Sequence, residues 1–503
     1  MVYRPSMSPL FAILLASAAA QAQAAPPPAE ANAETTPTPA ESAPDAARRP
    51  RPADPGSTAI LPLDPRMEAY DQFRRLYETE RFDEALPLAR RVIELSEQGS
   101  DHEYELPIAY NNLGATQYQL GEHVAAEASY RHSLELLEAS VGISSRRLIV
   151  PLAGLGAVHA ALDQHALAAA YFSRALAVSR RAEGLFNLAQ LPLIEQAADS
   201  LYALADYGGV ERERIYALKI AEQNYGYGDE RTLPAILKLA TFYEDLREFN
   251  SARMMYLRAR DVSMKESGGF NPAAIRSQIG IARTHRLQYT MDPESLADQQ
   301  PARDAVTGEV FGRNQRGARV SPPSMDRTGL KAARDALDTL RAVQDPPPQL
   351  LLETLTELGD WYQATSRPAL ALPYYQEASA LVDRNAEAGL VNGLASPRMV
   401  FYRPPLAASR GLSTATSQFR VRRTEFRFRV SEDGEPQNIE VISTDMSEGQ
   451  LAQSRRALSR AIYCPRFENG RAVASEDVRF TAEWTEQHDA QQDAALSEGQ
   501  QAG

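Results

Sequence analysis

Apolar residues recur every three to four positions along most of the chain, which is the spacing of one face of an α-helix. The pattern runs from residue 66 to residue 290 and returns from residue 326 to residue 384. Short polar stretches interrupt it at intervals that suit helices joined by tight turns. These two regions are therefore predicted to be α-helical, and the chain as a whole to be mainly α.

Two of the helical stretches repeat each other. "NNLGATQYQLGEHVAAEASYRHSLELL" at residues 111–137 aligns without gaps with "AGLGAVHAALDQHALAAAYFSRALAVS" at residues 153–179. Each copy has a Leu-Gly pair, then a small residue, then an aromatic residue. A further copy lies near residue 360. The corresponding positions in the three copies are Leu113, Gly114, Ala126 and Tyr130; Leu155, Gly156, Ala168 and Phe172; and Leu358, Gly359, Ala371 and Tyr375.

The order of these residues resembles the tetratricopeptide repeat, and the spacing of about 40 to 42 residues resembles its long-helix variants. Weaker copies are visible at "YETERFDEALPLARRVIEL" and "LKLATFYEDLREFNSARMMYLRARDV". In another copy Val210 stands where the small residue is expected. The resemblance implies about six helix pairs stacked into an α-solenoid, with glycine and alanine where two helices cross closely. Such a solenoid is a binding surface and not a catalytic device.

The period of the apolar pattern changes from 3.6 to 2 within residues 397–486. In "RTEFRFRVSEDGEPQNIEVIS" the apolar residues alternate with polar ones on both sides of a turn at Gly434, which predicts a β-hairpin. A helix is predicted next, capped by Ser447 and running through Leu458 to Ile462. A last strand follows, and it alternates through Val478, Phe480, Ala482 and Trp484. The chain is thus expected to end in a small α+β domain.

The hairpin, the helix, "CPRFENGRAV" and the closing "VRFTAEW" resemble the C-terminal domain of the TonB energy transducers over residues 419–484. This resemblance implies that an extended peptide binds by adding a strand to the sheet. The expected edge is the last strand, because no later strand covers it. Its residues are Val478, Phe480, Thr481, Ala482 and Trp484. The resemblance supplies no catalytic residue.

Four segments are predicted to lie outside these domains. Residues 1–24 carry Arg4, the apolar run "LFAILLASAAA" and small residues at Ala22 and Ala24, which is the order of a secretory signal peptide. The alternative is an uncleaved membrane anchor, although the run is shorter than the roughly 20 residues of a spanning helix. Residues 25–65 form a Pro/Ala-rich linker expected to be disordered, residues 291–325 a flexible insertion, and residues 487–503 a disordered tail.

Charge and motif content argue against nucleic-acid binding, metal or cofactor binding and catalysis. The net charge of −13 is unsuited to nucleic-acid binding. The sequence has no zinc, P-loop or dinucleotide motif, so we expect no metal, no cofactor and no enzymatic activity. His159 and His165 are expected to be solvated or to line the solenoid. The only cysteine, Cys464, is expected to be a small buried residue, with a reactive thiol as the alternative.

These observations predict a periplasmic scaffold that binds protein or peptide partners of the cell envelope through a helical solenoid and a TonB-like domain. The alternative is a TonB-type energy transducer anchored in the inner membrane, which requires that the N-terminal segment be retained. Membrane association is expected only through an uncleaved N-terminus. An enzyme would need a catalytic cluster assembled from distant positions, and the sequence offers none.

We predict that the mature chain begins near Ala25 and is found in the soluble periplasmic fraction, because the apolar run is short and a small-x-small site follows it. Mass spectrometry of the protein from fractionated cells measures this. An intact Met1 in the membrane pellet would contradict the prediction and favour the anchored transducer.

Overall fold

The computed structural model describes residues 64–99, 102–266, 270–290, 322–385, 390, 393–405, 418–468 and 470–488. The predicted signal peptide lies outside them, as do nearly all of the linker, the insertion and the tail. The chain forms two compact units, divided between residues 224 and 225. Across the described residues, none of the helices combines the length and the apolar character needed to cross a membrane.

Fourteen α-helices precede the strands in the described part of the chain, and they confirm the predicted mainly helical class. Those of the first unit are α1 Pro65–Glu78, α2 Phe82–Gln98, α3 His102–Gln119, α4 His123–Val141, α5 Ile149–Ala161, α6 His165–Glu183, α7 Leu191–Ala203 and α8 Tyr207–Tyr225, whose last residue begins the second unit. Those of the second unit are α9 Leu233–Asp245, α10 Phe249–Glu266, α11 Pro272–Thr290, α12 Pro322–Arg341, α13 Pro348–Ala364 and α14 Pro368–Arg384. Helix α12 thus starts within the predicted insertion.

The helices pack in consecutive pairs. Contacts join α1 with α2, α3 with α4 and α5 with α6 in the first unit, and α9 with α10, α11 with α12 and α13 with α14 in the second. Short connections make the two helices of a pair run in opposite directions. This is the helix-pair solenoid that the repeat predicts.

The loops keep the repeat regular where the helices have diverged. The turn inside each of four pairs contains a residue with positive φ, and these residues are spaced by 42: Gly121, Asp163, Ala205 and Arg247. Only one of them is glycine. In all four turns the N–H of the next residue donates to the carbonyl five residues before it, and this helix-ending hydrogen bond accompanies the left-handed conformation. The turn between pairs is capped by side chains at the same spacing. Ser145, Asn187, Asp229 and Asn271 each accept a hydrogen bond from the backbone N–H two residues later.

The repeat positions named from the sequence meet inside each pair. A Cβ atom added to Gly114 would lie 3.1 Å from the ring of Tyr130, and one added to Gly156 would lie 2.7 Å from the ring of Phe172. In the last pair the corresponding distance from Gly359 to the Tyr375 ring is 2.4 Å. The aromatic ring therefore packs directly on the glycine. The leucines and alanines of the pattern are buried around this contact: Leu113, Leu155, Leu358, Ala126, Ala168 and Ala371.

Seven strands and one helix follow the solenoid within the described residues. They are β1 Arg398–Phe401, β2 Gln418–Val430, β3 Pro436–Thr444, α15 Glu448–Leu458, β4 Ile462–Cys464, β5 Arg466–Glu468, β6 Arg471–Val473 and β7 Ser475–His488. The main sheet has the order β3-β2-β7, while β1 pairs with β4 and β5 pairs with β6. All of these pairings are antiparallel.

The predicted hairpin and final strand are present, with Gly434 at φ 84° and Ser447 forming a capping box with Gln450. The predicted end of the helix is wrong. The helix stops at Leu458, and Ile462 lies in β4, paired with β1. Pairing of Ile462 and Tyr463 with β1 takes the place of the last helical turn that the apolar periodicity predicts.

We expect Gly114→Leu to destabilise the solenoid by about 1–3 kcal/mol, because the added side chain overpacks the contact with Tyr130. Gly114→Ala should cost less than Gly156→Ala, since its Cβ meets the ring at 3.1 Å and not at 2.7 Å. Urea unfolding of the three variants measures the free energies. A wild-type unfolding midpoint for the leucine variant would contradict this packing.

Candidate functional site

The small domain is joined to the end of the solenoid by a shared hydrophobic core. Leu358, Trp361 and Tyr375 of α13 and α14 pack in one cluster with Val400 of β1, Cys464 of β4 and Phe467 of β5. The main sheet and α15 have a second cluster, which includes Phe426, Phe428 and Trp484 together with Tyr463 of β4. Successive side chains of a strand point to opposite faces, so β4 contributes Cys464 to the first core and Tyr463 to the second.

The turn of the main hairpin is also fixed to the solenoid. The amide nitrogen of Gln363 in α13 donates to the carbonyl of Asp433, at 2.6 Å, and to that of Tyr463, at 2.9 Å. The N–H of Tyr463 donates to the carbonyl of Gly434 at 2.9 Å. A Cβ at Gly434 would lie 1.9 Å from the Tyr463 oxygen, so only glycine fits this turn.

A buried ionic cluster lies beside this junction, around the carboxylate of Asp360 in α13. Arg398 of β1 donates to both Asp360 oxygens, at 2.6 and 2.9 Å, and the Tyr375 hydroxyl of α14 donates at 2.7 Å. Arg286 of α11 lies 3.5 Å from the same carboxylate and forms a two-point ion pair with Glu357, at 2.7 and 2.9 Å. Four elements thus converge on one buried charge network.

The charges of this cluster are balanced, which explains how they can be buried. Burial alone would raise the pKa of Asp360, but Arg286 and Arg398 outweigh it and hold that pKa below its usual value. Burial, with a contribution from the Asp360 charge, raises the pKa of the nearby Cys464 thiol to about 12. The thiol is therefore protonated at neutral pH and is a poor nucleophile, as the predicted structural role requires.

The residues of the predicted peptide-binding edge lie on β7, which occupies one edge of the main sheet. Ala482 and Trp484 are buried, Val478 and Phe480 are half-buried, and Thr481 is exposed. From Phe428 opposite Val478 to Gln418 opposite His488 the ladder with β2 has no irregularity. The strand runs past Trp484 to His488, further than the sequence predicted.

The histidines form no cluster of metal ligands in the described residues. The prediction for His159 is wrong. Its ring is 4% exposed, stacks on Tyr171 at 5.2 Å and places Nδ1 2.7 Å from Oε1 of Gln164. The ring is buried because its position in the helix pair faces the partner helix and not the solvent. His165 is half-buried, with Nε2 3.8 Å from Asp163.

Comparison with known proteins supports the repeat. Residues 76–139 match the family model described as tetratricopeptide repeat. No curated protein matches the chain. Similar solved structures include a Podosopora anserina kinesin light chain with nearly identical TPR-like repeats, 12% identical over 41% of this chain and 98% of its own, with a TM-score of 0.37.

Two other similar structures cover more of this chain. BtubC (BKLC) from P. vanneervenii is 16% identical and covers 67% of this chain and 99% of its own, with a TM-score of 0.34. Aspartyl phosphate phosphatase F from Bacillus subtilis is 13% identical and covers 67% of this chain and 78% of its own, with a TM-score of 0.35. The family match does not reach the small domain, so the TonB-like assignment stays a prediction. The chain is a TPR-like α-solenoid followed by a small strand-containing domain.

We predict that Arg398→Met weakens the junction at Asp360. Breaking a fully buried ion pair costs about 3–5 kcal/mol, and we expect about 2–3 kcal/mol here because the Arg398 side chain is 39% exposed and Arg286 and Tyr375 remain. Since the folded-state pKa of Asp360 lies below that of the unfolded chain, its stabilisation is present at neutral pH and is lost as the pH falls through the folded-state value. Removing Arg398 raises that value, so acid unfolding should begin at a higher pH.

Circular dichroism during urea and acid titrations measures both effects. Arg427→Met is the matched control, because Arg427 pairs with Glu440 at 2.6 Å with side chains 51% and 61% exposed, and such surface pairs contribute little to stability. Equal stability of the two variants would show that the cluster does not hold the junction.

Proposed function

We propose that this protein is a non-enzymatic scaffold of the bacterial periplasm, which binds protein partners through its helical solenoid and through the edge of β7. One observation carries the proposal: β7 is a long and regular edge strand, in a domain whose core is shared with the end of the solenoid. A peptide bound at that edge would therefore be held at a fixed position relative to α13 and α14.

The main sheet has two edges, and they differ. In β3 the ladder with β2 is irregular between Arg427 and Arg429, where Asn438 adopts a φ of 52°. Bulges of this kind discourage the addition of another strand. The irregularity in β7 lies at its beginning, near Asp477, and the rest of the strand is regular. The edge of β7 thus offers a longer template for strand addition.

Strand addition at β7 would depend on backbone groups more than on charge. The exposed Glu483 already pairs with Arg423 of β2 at 3.0 Å, and Arg479 lies 3.5 Å from Glu425. The buried Ala482 and Trp484 hold the strand against its core. An incoming peptide would find unpaired N–H and C=O groups at alternate residues, as in other cases of strand addition.

The periplasmic location rests on the N-terminal sequence, which lies outside the described residues. The arrangement of the small domain supports a scaffold over an energy transducer. A transducer domain must reach its partner from the end of a spacer, whereas here β1, β4 and β5 pack against α13 and α14. The absence of a catalytic motif in the sequence supports a non-enzymatic role.

We expect Thr481→Pro and Glu483→Pro to abolish the capture of envelope partners while the solenoid stays folded. Both side chains are exposed, so the substitutions remove backbone donors of β7 and no core contact. Thr481→Val keeps the N–H and serves as the control. Pull-down from an envelope fraction measures retention, and light scattering on the same samples measures molecular mass.

Hydrogen exchange supplies a test without substitutions. Alternate amides of β7 should exchange quickly in the free protein and slowly once a partner is bound. Undiminished partner capture by both proline variants, with an unchanged mass, would show that β7 is not the contact. A change in mass would instead indicate that a second copy of the chain occupies this edge.

A further inference from the structure

One position of the repeat carries opposite charges in two copies. In the first unit Glu127 of α4 faces His159 of α5, with Oε1 3.8 Å from Nε2. The repeat spacing is 42 residues, and three repeats later the same two positions hold Arg253 in α10 and His285 in α11. The histidine is retained, but the carboxylate beside it is replaced by a guanidinium.

Arg253 lacks a carboxylate partner among the described residues. One of its terminal nitrogens donates to Oε1 of Gln288, and its Nε is buried without a hydrogen bond. Burial lowers the pKa of Arg253 to about 10. The residue as a whole is intermediate in exposure, so part of its side chain reaches the solvent.

His285 is also left with an unused polar atom. The residue is 8% exposed, and its Nδ1 is buried without a partner. Burial, and then the charge of Arg253, lower the pKa of His285 to about 3, so the ring is neutral at physiological pH. Gln288 lies one helical turn further along α11, on the same face. Its side-chain oxygen accepts from Arg253, and its amide N–H groups are donors.

A cation that is largely buried without a counter-charge is costly, and so are buried donors without acceptors. In the first copy Gln164 contacts Nδ1 of the histidine, whereas the equivalent residue here is Thr290, whose hydroxyl donates to the carbonyl of Leu287. We infer that Arg253, His285 and Gln288 form a binding site for a carboxylate of an acidic peptide. The inference deepens the proposed scaffold function and relies on it for the partner, but it uses a surface separate from β7.

The test uses a hexaglutamate peptide as the probe and a hexaglutamine peptide as the neutral control. The chain carries a net charge of −13, so non-specific attraction of hexaglutamate is disfavoured and binding would be informative. We expect calorimetry at low salt to detect hexaglutamate but not hexaglutamine. Arg253→Met keeps the stem of the side chain and should weaken binding at least about tenfold, because it removes a charge-assisted hydrogen bond.

Arg260→Met is the matched control, since Arg260 lies on the same helix and already pairs with Asp261 at 2.8 Å. It should bind hexaglutamate as the wild type does. Arg253→Glu reverses the charge at this position, and we expect this variant to lose the response to hexaglutamate.

Several results would overturn the inference. They are a wild type that does not bind hexaglutamate, or undiminished binding by Arg253→Met or Arg253→Glu. If inorganic phosphate raises the melting temperature as much as hexaglutamate does, the ligand of the site is a free oxyanion and not a peptide carboxylate. Thr481→Pro should leave hexaglutamate binding intact, so a failure of the β7 proposal and a failure of this site can be told apart.

Discussion

The second unit depends on the ion pairing of one buried carboxylate, that of Asp360. A charge removed from water must be matched by opposite charge and by hydrogen bonds. Otherwise the free-energy cost of burying it exceeds the stabilisation that packing contributes. Arg398, Arg286 and Tyr375 provide that match from three different elements. The apolar contacts around them are less directional. The ionic contacts therefore set where β1 lies against α13 and α14, and the shared core fills the space that this placement leaves.

Much of the solenoid could be predicted from the sequence, because its signal is local. Glycine, a small residue and an aromatic residue at fixed spacing indicate a close helix crossing. At Gly359 the structure shows this crossing, because the ring of Tyr375 packs directly on the glycine. The diverged copies keep the helical pattern but show the repeat residues less clearly, as where Val210 replaces the small residue. A further repeat signal lies in the turns, where Ser145, Asn187 and their equivalents recur every 42 residues as caps.

The junction could not be predicted in this way. Strands of three or four residues, such as β1 and β4, are too short to show an alternating pattern, and their pairing partners are more than 60 residues away. The ionic cluster joins residues from Arg286 to Arg398, which no periodicity relates. The burial of His159 was missed for a similar reason, since the sequence gives its helix position but not the stacking partner on the next helix.

The proposed binding surfaces use different physical properties. Strand addition at β7 relies on the backbone and tolerates many side chains, whereas the site at Arg253 relies on charge and selects among them. A partner that engages both would have to combine an extended segment with an acidic one. Specificity would then come from the pairing of the two segments, and neither surface would need high affinity alone.

Strand β4 has a consequence for how the protein unfolds. Tyr463 belongs to the core of the main sheet and Cys464 to the core beneath it. One strand of three residues cannot leave one core and remain in the other. The sheet and the last helix pair should therefore open as one cooperative unit, with a single transition in place of two. Tension applied to a peptide held at the sheet edge would then act on the end of the solenoid, so the small domain can transmit a pull that a freely tethered domain would absorb.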